Sequence, residues 1–122
     1  MLRLTELGSG YGSVPIVRDL NLEIKKGEIT VILGRNGVGK TTLMKTIIGV
    51  LPCHSGCIHF KGKDVTRMSA SHRARSGMGY IPQGRGIFPR LSVEENLMMG
   101  HLINADSGRE RLYERVYTMF PR

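Results

Sequence analysis

Two kinds of apolar spacing alternate along the chain. Near the N-terminus Leu2, Leu4 and Thr5 to Leu7 alternate loosely, as in a short strand. Residues 8–15, GSGYGSVP, read as a loop whose only large side chain is Tyr11. Residues 16–24, IVRDLNLEI, then place Ile16, Leu20, Leu22 and Ile24 at even positions, the period of a half-buried strand. Lys26-Gly27 turns that strand into residues 28–33, EITVIL, an apolar β-branched run suited to a strand buried on both faces. Leu43, Met44, Ile47, Ile48 and Leu51 follow at helical spacing.

In the second half of the chain Pro52 and Gly56 are breaks, and residues 57–65 read as a strand and turn. Ser69 caps a short basic helix through Arg75, which Gly77 ends. Residues 78–82, MGYIP, form another apolar run, expected to be a buried strand stopped by proline. Ser92-Val93-Glu94-Glu95 is a capping box, so a helix is expected from Ser92 through Leu97 and Met98 to about Ile103. Asp106-Ser107-Gly108 interrupts it before a last amphipathic helix, with Leu112, Val116 and Met119 or Phe120 on one face.

Between the EITVIL run and the first helical pattern lies GRNGVGKTT, residues 34–42. It fits GxxxxGK[ST] with Gly34, Gly39, Lys40 and Thr41, the Walker A phosphate-binding loop. Glycines let the backbone curl so that N–H groups converge on phosphate oxygens without a Cβ in the way. Lys40 supplies a point charge for the β- and γ-phosphates, the Thr41 hydroxyl is placed to ligate Mg²⁺, and the helix that follows points its positive end at the same anion. A strand before the motif and a helix after it are the setting such a loop requires, and a nucleotide is the expected ligand.

Composition narrows this only slightly. With 122 residues and 40% apolar side chains, the chain is one domain at most, with a core of ordinary size. The net charge of +8 would suit nucleic acid, an anionic membrane or phosphorylated ligands, but the basic residues are scattered and no run exceeds two. Four Tyr, three Phe and no Trp give no base-stacking platform, so no nucleic-acid partner is expected. No apolar run approaches the ~20 residues that span a bilayer, and the first residues lack a secretory stretch. A cytosolic chain is expected. Cys53 and Cys57 stand beside His54 and His59, a possible zinc set. No second pair of ligands follows on a separate element, so a turn and strand are expected there rather than a metal. A disulfide is not expected either.

The order of the motifs carries a resemblance. Tyr11 in an aromatic loop, Gly27-Glu28 before a strand, GRNGVGKTT, a SGxIxFxGxD-type turn over residues 55–64, YIPQGR at 80–85 and FPRLSVEENL at 88–97 resemble, taken together, the ATP-binding subunit of an ABC transporter. The wording RNGVGKTTLMKTIIG and PQGRGIFPRLSVEENL is similar to subunits serving branched-chain amino acid and urea importers. The resemblance implies an α/β fold: part of a P-loop NTPase core with an N-terminal antiparallel β segment, residues 1–122 being the N-terminal part of a single truncated ABC-type domain. It implies ATP and Mg²⁺ as cofactors. Tyr11 would stack on adenine, with Val17 touching the base or serving as strand core. Asn36, Gly37, Gly39, Lys40, Thr41 and Thr42 would contact phosphate. Gln83 would be the Q-loop glutamine, reaching Mg²⁺ and the attacking water, so Lys40 and Gln83 are the catalytic candidates and Thr41 and Gln83 the metal candidates.

The same resemblance implies permease subunits docking on residues Gly84–Leu97, with Ile87, Phe88 and Leu91 as anchors or as core of this chain's own fold. It also implies a second ATP-binding subunit and a peripheral place on the cytoplasmic face of the membrane. The chain departs from the family in lacking an LSGGQ-like signature, a Walker B strand ending in Asp-Glu and a switch histidine. Hydrolysis needs cation, water and charge stabilisation together, so the alternative is a non-catalytic nucleotide-binding fragment. A P-loop ATPase acting on nucleic acid is the third reading. The missing neighbour of the EITVIL strand is expected to leave an apolar edge and a poorly soluble chain.

Overall fold

The computed structural model describes residues 1–84, 86–101 and 109–121, and of residues 101 and 109–112 the backbone. The chain divides into two compact units, Met1–Tyr80 and Ile81–Arg122. In the first, β1 (Leu2–Tyr11), β2 (Val14–Ile24), β3 (Cys53–Phe60) and β4 (Lys63–Asp64) form an antiparallel sheet in the order β2-β1-β3-β4. The helices α1 (Lys40–Ile48) and α2 (Ala70–Arg75) accompany it. Leu4 and Leu7 of β1, Ile58 and Phe60 of β3, Val65 and Leu43 of α1 make the buried core. The fold is that of a partial P-loop NTPase domain, as the motifs lead one to expect.

β1 is longer than its apolar spacing predicts, because Gly8, Ser9 and Gly10 continue the strand rather than forming a loop. Small residues are what this stretch needs. A Cβ on Gly8 would lie 2.3 Å from Ser55 Oγ, and one on Gly10 would lie 1.9 Å from the Val14 carbonyl oxygen. Ser9 is buried because its hydroxyl has two partners, Thr46 Oγ1 at 2.6 Å and the Pro52 carbonyl at 2.8 Å. Only Gly12-Ser13 remain as the turn into β2.

Bulges, invisible to simple periodicity, set which side chains face inward. Glu6 and Asp19 have φ of 48° and 44°, and the β1–β2 register shifts between Leu4 and Leu7 and again between Leu7 and Ser9. The Asn21 side chain accepts the Glu6 N–H at 3.0 Å, replacing a ladder partner. Leu20 and Leu22 therefore pack on the core and Ile24 is half-buried, as the even spacing predicts, but before the bulge the inward residue is Val17 and Ile16 lies outside. Gly56 likewise does not break the chain. It sits inside β3 with φ of 74°, where a Cβ would lie 2.2 Å from the Thr5 carbonyl oxygen, so only glycine fits.

Two predicted strands do not form. Residues 28–33 have no ladder partner among the described residues, and Ile29, Val31 and Leu33 are 95%, 71% and 87% exposed, while Ile32 packs on the core. A strand buried on both faces depends on neighbours brought in by crossovers, and β1–β4 pair with one another instead. Residues 78–82 are also outside the sheet, with Met78 against the core and Ile81 exposed.

In the second unit α3 (Val93–His101) begins at the expected capping box: Ser92 Oγ accepts the Glu95 N–H at 3.2 Å, and Glu95 Oε2 accepts the Ser92 N–H at 2.7 Å. The Ser92 N–H, and the Ser92 hydroxyl that donates to the same oxygen at 2.9 Å, hold the Glu95 carboxyl below its usual range. On α4 (Arg109–Met119), Tyr113, Val116 and Tyr117 are half-buried while Met119 and Phe120 are exposed, so the predicted apolar face holds at Val116 and not beyond. Arg85, Ile103, Asp106, Ser107, Gly108 and the Leu112 side chain lie outside the described residues.

Candidate functional site

The motif residues 34–39 form the loop that leads into α1. Gly39 is the N-cap of that helix with φ of 102°, and no side chain caps the first turn. The first N–H groups of α1 are thus left for another acceptor, the arrangement that favours an anion. A Cβ on Gly39 would lie 2.9 Å from Ile16 Cγ2 and 3.8 Å from Val17 Cγ2, so β2 packs directly behind the loop. Gly37 has φ of 83° with open space around it. A Cβ on Gly34 would crowd Val38 Cγ2 at 2.9 Å and reach within 4.0 Å of Lys40 Nζ. The glycine positions are therefore those that keep the cradle open.

Lys40 is the first residue of α1, and its ammonium folds back over the loop to donate to the carbonyls of Gly34 and Arg35, the latter at 2.6 Å. A cation held there by neutral acceptors is available to a phosphate oxygen, which binds it more strongly. Thr41 and Asn36 are exposed. Thr42 is buried, its carbonyl accepting from Thr46 Oγ1 at 2.8 Å. These donors and glycines suit a polyphosphate, and the exposed Thr41 hydroxyl beside Lys40 suits an associated Mg²⁺.

The structure brings Val17 to the same loop, half-buried against Gly39 and the core. Tyr11 ends β1 about half exposed, with Lys45 Nζ of α1 6.0 Å from the ring centroid. The Tyr11 ring thus belongs to the surroundings of α1. Gln83 is exposed in a turn of the second unit. In that unit Ile87 and Phe88 are exposed and Leu91 is half-buried. Asn96 pins their loop to α3: its carboxamide accepts the Phe88 N–H at 2.8 Å and donates to the carbonyls of Phe88, Leu91 and Ser92.

Several contributors escaped the motif reading. Ile16 reads as part of the half-buried strand, Asn96 as part of the helix from Ser92 and Arg73 as part of the short basic helix after Ser69, while no motif picks out Lys45. Only the contacts reveal them, since nothing in their spacing distinguishes them from neighbours. Around Cys53 and Cys57, no three His, Cys, Asp or Glu side chains converge among the described residues. The Cys53 thiol donates to the Ser55 carbonyl at 2.8 Å, and burial pushes its pKa up, which favours the protonated form over a metal-binding thiolate.

A family model described as ABC transporter matches residues 17–120. The chain belongs to that family. It is 35% identical over 122 residues to a high-affinity branched-chain amino acid transport ATP-binding protein, BraG of Pseudomonas aeruginosa, covering 100% of this chain and 52% of the relative. It is 38% identical over 114 residues to a lipopolysaccharide export system ATP-binding protein, LptB of Escherichia coli K12, covering 93% of this chain and 47% of the relative. The ABC chain thus spans about half the length of the curated relatives it matches. Its structure is similar to a dimeric ATP-binding cassette solved with ADP and Pi, with a TM-score of 0.75 and 25% identity over 91% of this chain and 52% of that one. Among the described residues no helix of this ABC chain is long and apolar enough to cross a membrane.

Proposed function

We propose that this ABC chain binds Mg·ATP through residues 34–42 and serves, within a transporter, as part of an ATP-binding subunit that couples nucleotide binding and hydrolysis to solute movement. The observation that carries the reading is the uncapped start of α1, where glycines with positive φ leave an open cradle and Lys40 is held over it. In this reading Asn36, Gly37, Gly39, Lys40, Thr41 and Thr42 surround the phosphates. Tyr11 would supply a π face for adenine, Val17 would back the site, Thr41 would hold Mg²⁺ and Lys40 would act on the transferred phosphoryl group, and Gln83 is proposed for the Q-loop role. Bound Mg²⁺ would neutralise charge on the phosphates; the chain's own contribution is to orient them.

Uptake of branched-chain amino acids or urea is the proposed task, supported by the similarity to BraG and by the importer-like motif wording. The similarity to LptB supports export as a second reading. Permease subunits would dock on Gly84–Leu97, where Ile87 and Phe88 are exposed apolar side chains, and a second ATP-binding subunit would complete the assembly on the cytoplasmic face of the membrane. The test of the site is binding. Lys40→Ala is expected to weaken Mg·ATP affinity tenfold to about a hundredfold, the loss of one or more charged hydrogen bonds. Calorimetric titration giving equal affinities for the two chains would sink the proposal.

A further inference from the structure

Arg73 is the largest fully buried side chain, 2% exposed, yet among the described residues no carboxylate lies within ion-pair distance of it. Its guanidinium is satisfied by backbone alone. Nη1 donates to the carbonyls of Thr46 and Ile47, both at 2.7 Å, Nη2 to that of Thr66 at 2.8 Å, and Nε to that of Met68 at 3.1 Å. A buried charge is tolerated only when it is well hydrogen-bonded, and here four carbonyls take four of the five N–H donors, with at least one on each nitrogen. Gly49 opens the slot: it ends α1 with φ of 87°, and a Cβ there would lie 3.0 Å from Arg73 Nε.

Thr46 and Ile47 supply two of the last carbonyls of α1, which lack the N–H of a following helical turn; the Gly49 N–H also reaches that of Thr46 at 3.1 Å. Arg73 therefore places a full positive charge on the negative end of the helix whose other end begins at Lys40 and Thr41. The helix is nine residues long, about 13 Å at 1.5 Å per residue, so the guanidinium lies too far from the loop to touch a phosphate. It acts through position. Thr46 is also held by Ser9 of β1 at 2.6 Å, and the two anchors, Ser9 on the side of α1 and Arg73 at its end, fix both the roll and the height of the helix.

We propose that Arg73 is a positioning residue for the phosphate site: by clamping the final carbonyls of α1 to the Thr66–Met68 segment, it holds Lys40, Thr41 and the first N–H groups of the helix where a polyphosphate meets them. The proposal rests on the nucleotide reading of residues 34–42. Lysine at this position keeps the charge but cannot span four carbonyls, whereas alanine leaves a slot that a free guanidinium ion can enter.

The test titrates wild type, Lys40→Ala, Arg73→Lys and Arg73→Ala with tripolyphosphate, while backbone amide resonances of β1 and β3 report the fold. Arg73→Lys is expected to keep the β1 and β3 pattern and to weaken tripolyphosphate about tenfold, the size of one charged hydrogen bond. Arg73→Ala is expected to bind weakly and to recover with millimolar guanidinium chloride, but not with sodium chloride of equal strength. Unchanged affinity in Arg73→Lys overturns the proposal. So does an affinity loss that only follows disruption of β1 and β3, or an Arg73→Ala chain that guanidinium does not restore. Wild type binding tripolyphosphate no better than Lys40→Ala is a different failure, that of the phosphate site itself, and takes the proposal with it.

Discussion

Residues 14–24 and residues 28–33 are both apolar, rich in β-branched side chains, and separated by a single turn, yet they meet different fates. The first, β2, pairs with β1 across the two-residue turn Gly12-Ser13 and packs Val17, Leu20 and Leu22 on the core. The second is unpaired among the described residues, with three of its apolar side chains in solvent. Beside it an apolar cleft of about 340 Å³ opens, lined by Glu28, Met44, Ile47, Phe60 and Met78 among others. The difference teaches that an apolar run sets how much a segment gains from burial, while the partner must come from elsewhere. For β2 the partner is the preceding strand, so closure costs little entropy. Residues 28–33 do not pair with β2, although a single turn separates the two and β2 stands at the edge of the sheet, so nearness in the chain alone does not supply a ladder.

The largest effect that could break this comparison is in the core. Ile58→Ala, at a side chain with no exposure, is expected to cost about 2–5 kcal/mol, whereas Ile29→Ala, 95% exposed, should stay within about 0.5 kcal/mol. Urea unfolding of both chains measures this, and a comparable loss at Ile29 would show that residues 28–33 are buried in solution. A smaller contrast lies in the glycines. Gly56→Ala meets the Thr5 carbonyl as well as backbone strain and is expected to cost about 2–3 kcal/mol or more, against about 1 kcal/mol for Gly62→Ala, whose φ of 80° lies in open space. Equal destabilisation would mean that the close approach of Gly56 to β1 does not matter in solution.

The smallest effect concerns an element that needs no distant partner, the start of α3. Because Ser92 depresses the folded pKa of Glu95, the contribution of that carboxylate is present above its unfolded pKa and fades as pH falls through the lower folded value. Ser92→Ala should move the Glu95 titration upward toward the ordinary carboxylate range, as read by NMR of its side chain. An unmoved titration would remove the capping box from the account of α3.

Much of the site was legible in the chain because its requirements are local. Gly34, Gly39 and Lys40 follow from what a phosphate cradle demands of consecutive residues, and α1 and the Ser69 and Ser92 caps follow from helical spacing and cap chemistry. The bulges at Glu6 and Asp19 and the positive φ of Gly56 were not legible, since each is defined by what the opposite strand leaves room for. Arg73 was the most misleading: in a basic hexapeptide helix it looks like solvated surface, and only the Gly49 slot and the carbonyls of Thr46, Ile47, Thr66 and Met68 turn it into buried structure.

The chain alone fixes the elements whose energetics close within a few residues: the glycine-rich loop before α1, the helix starts and the apolar spacing of β2 from Leu20 onward. Tertiary structure alone decided which apolar runs became paired strands, which face Ile16 and Val17 present, and what anchors α1 from behind. The physical reason is one of range. A turn or cap is satisfied by its own neighbours in the chain, whereas a ladder, a bulge or a buried guanidinium is satisfied only by backbone groups that folding brings from tens of residues away.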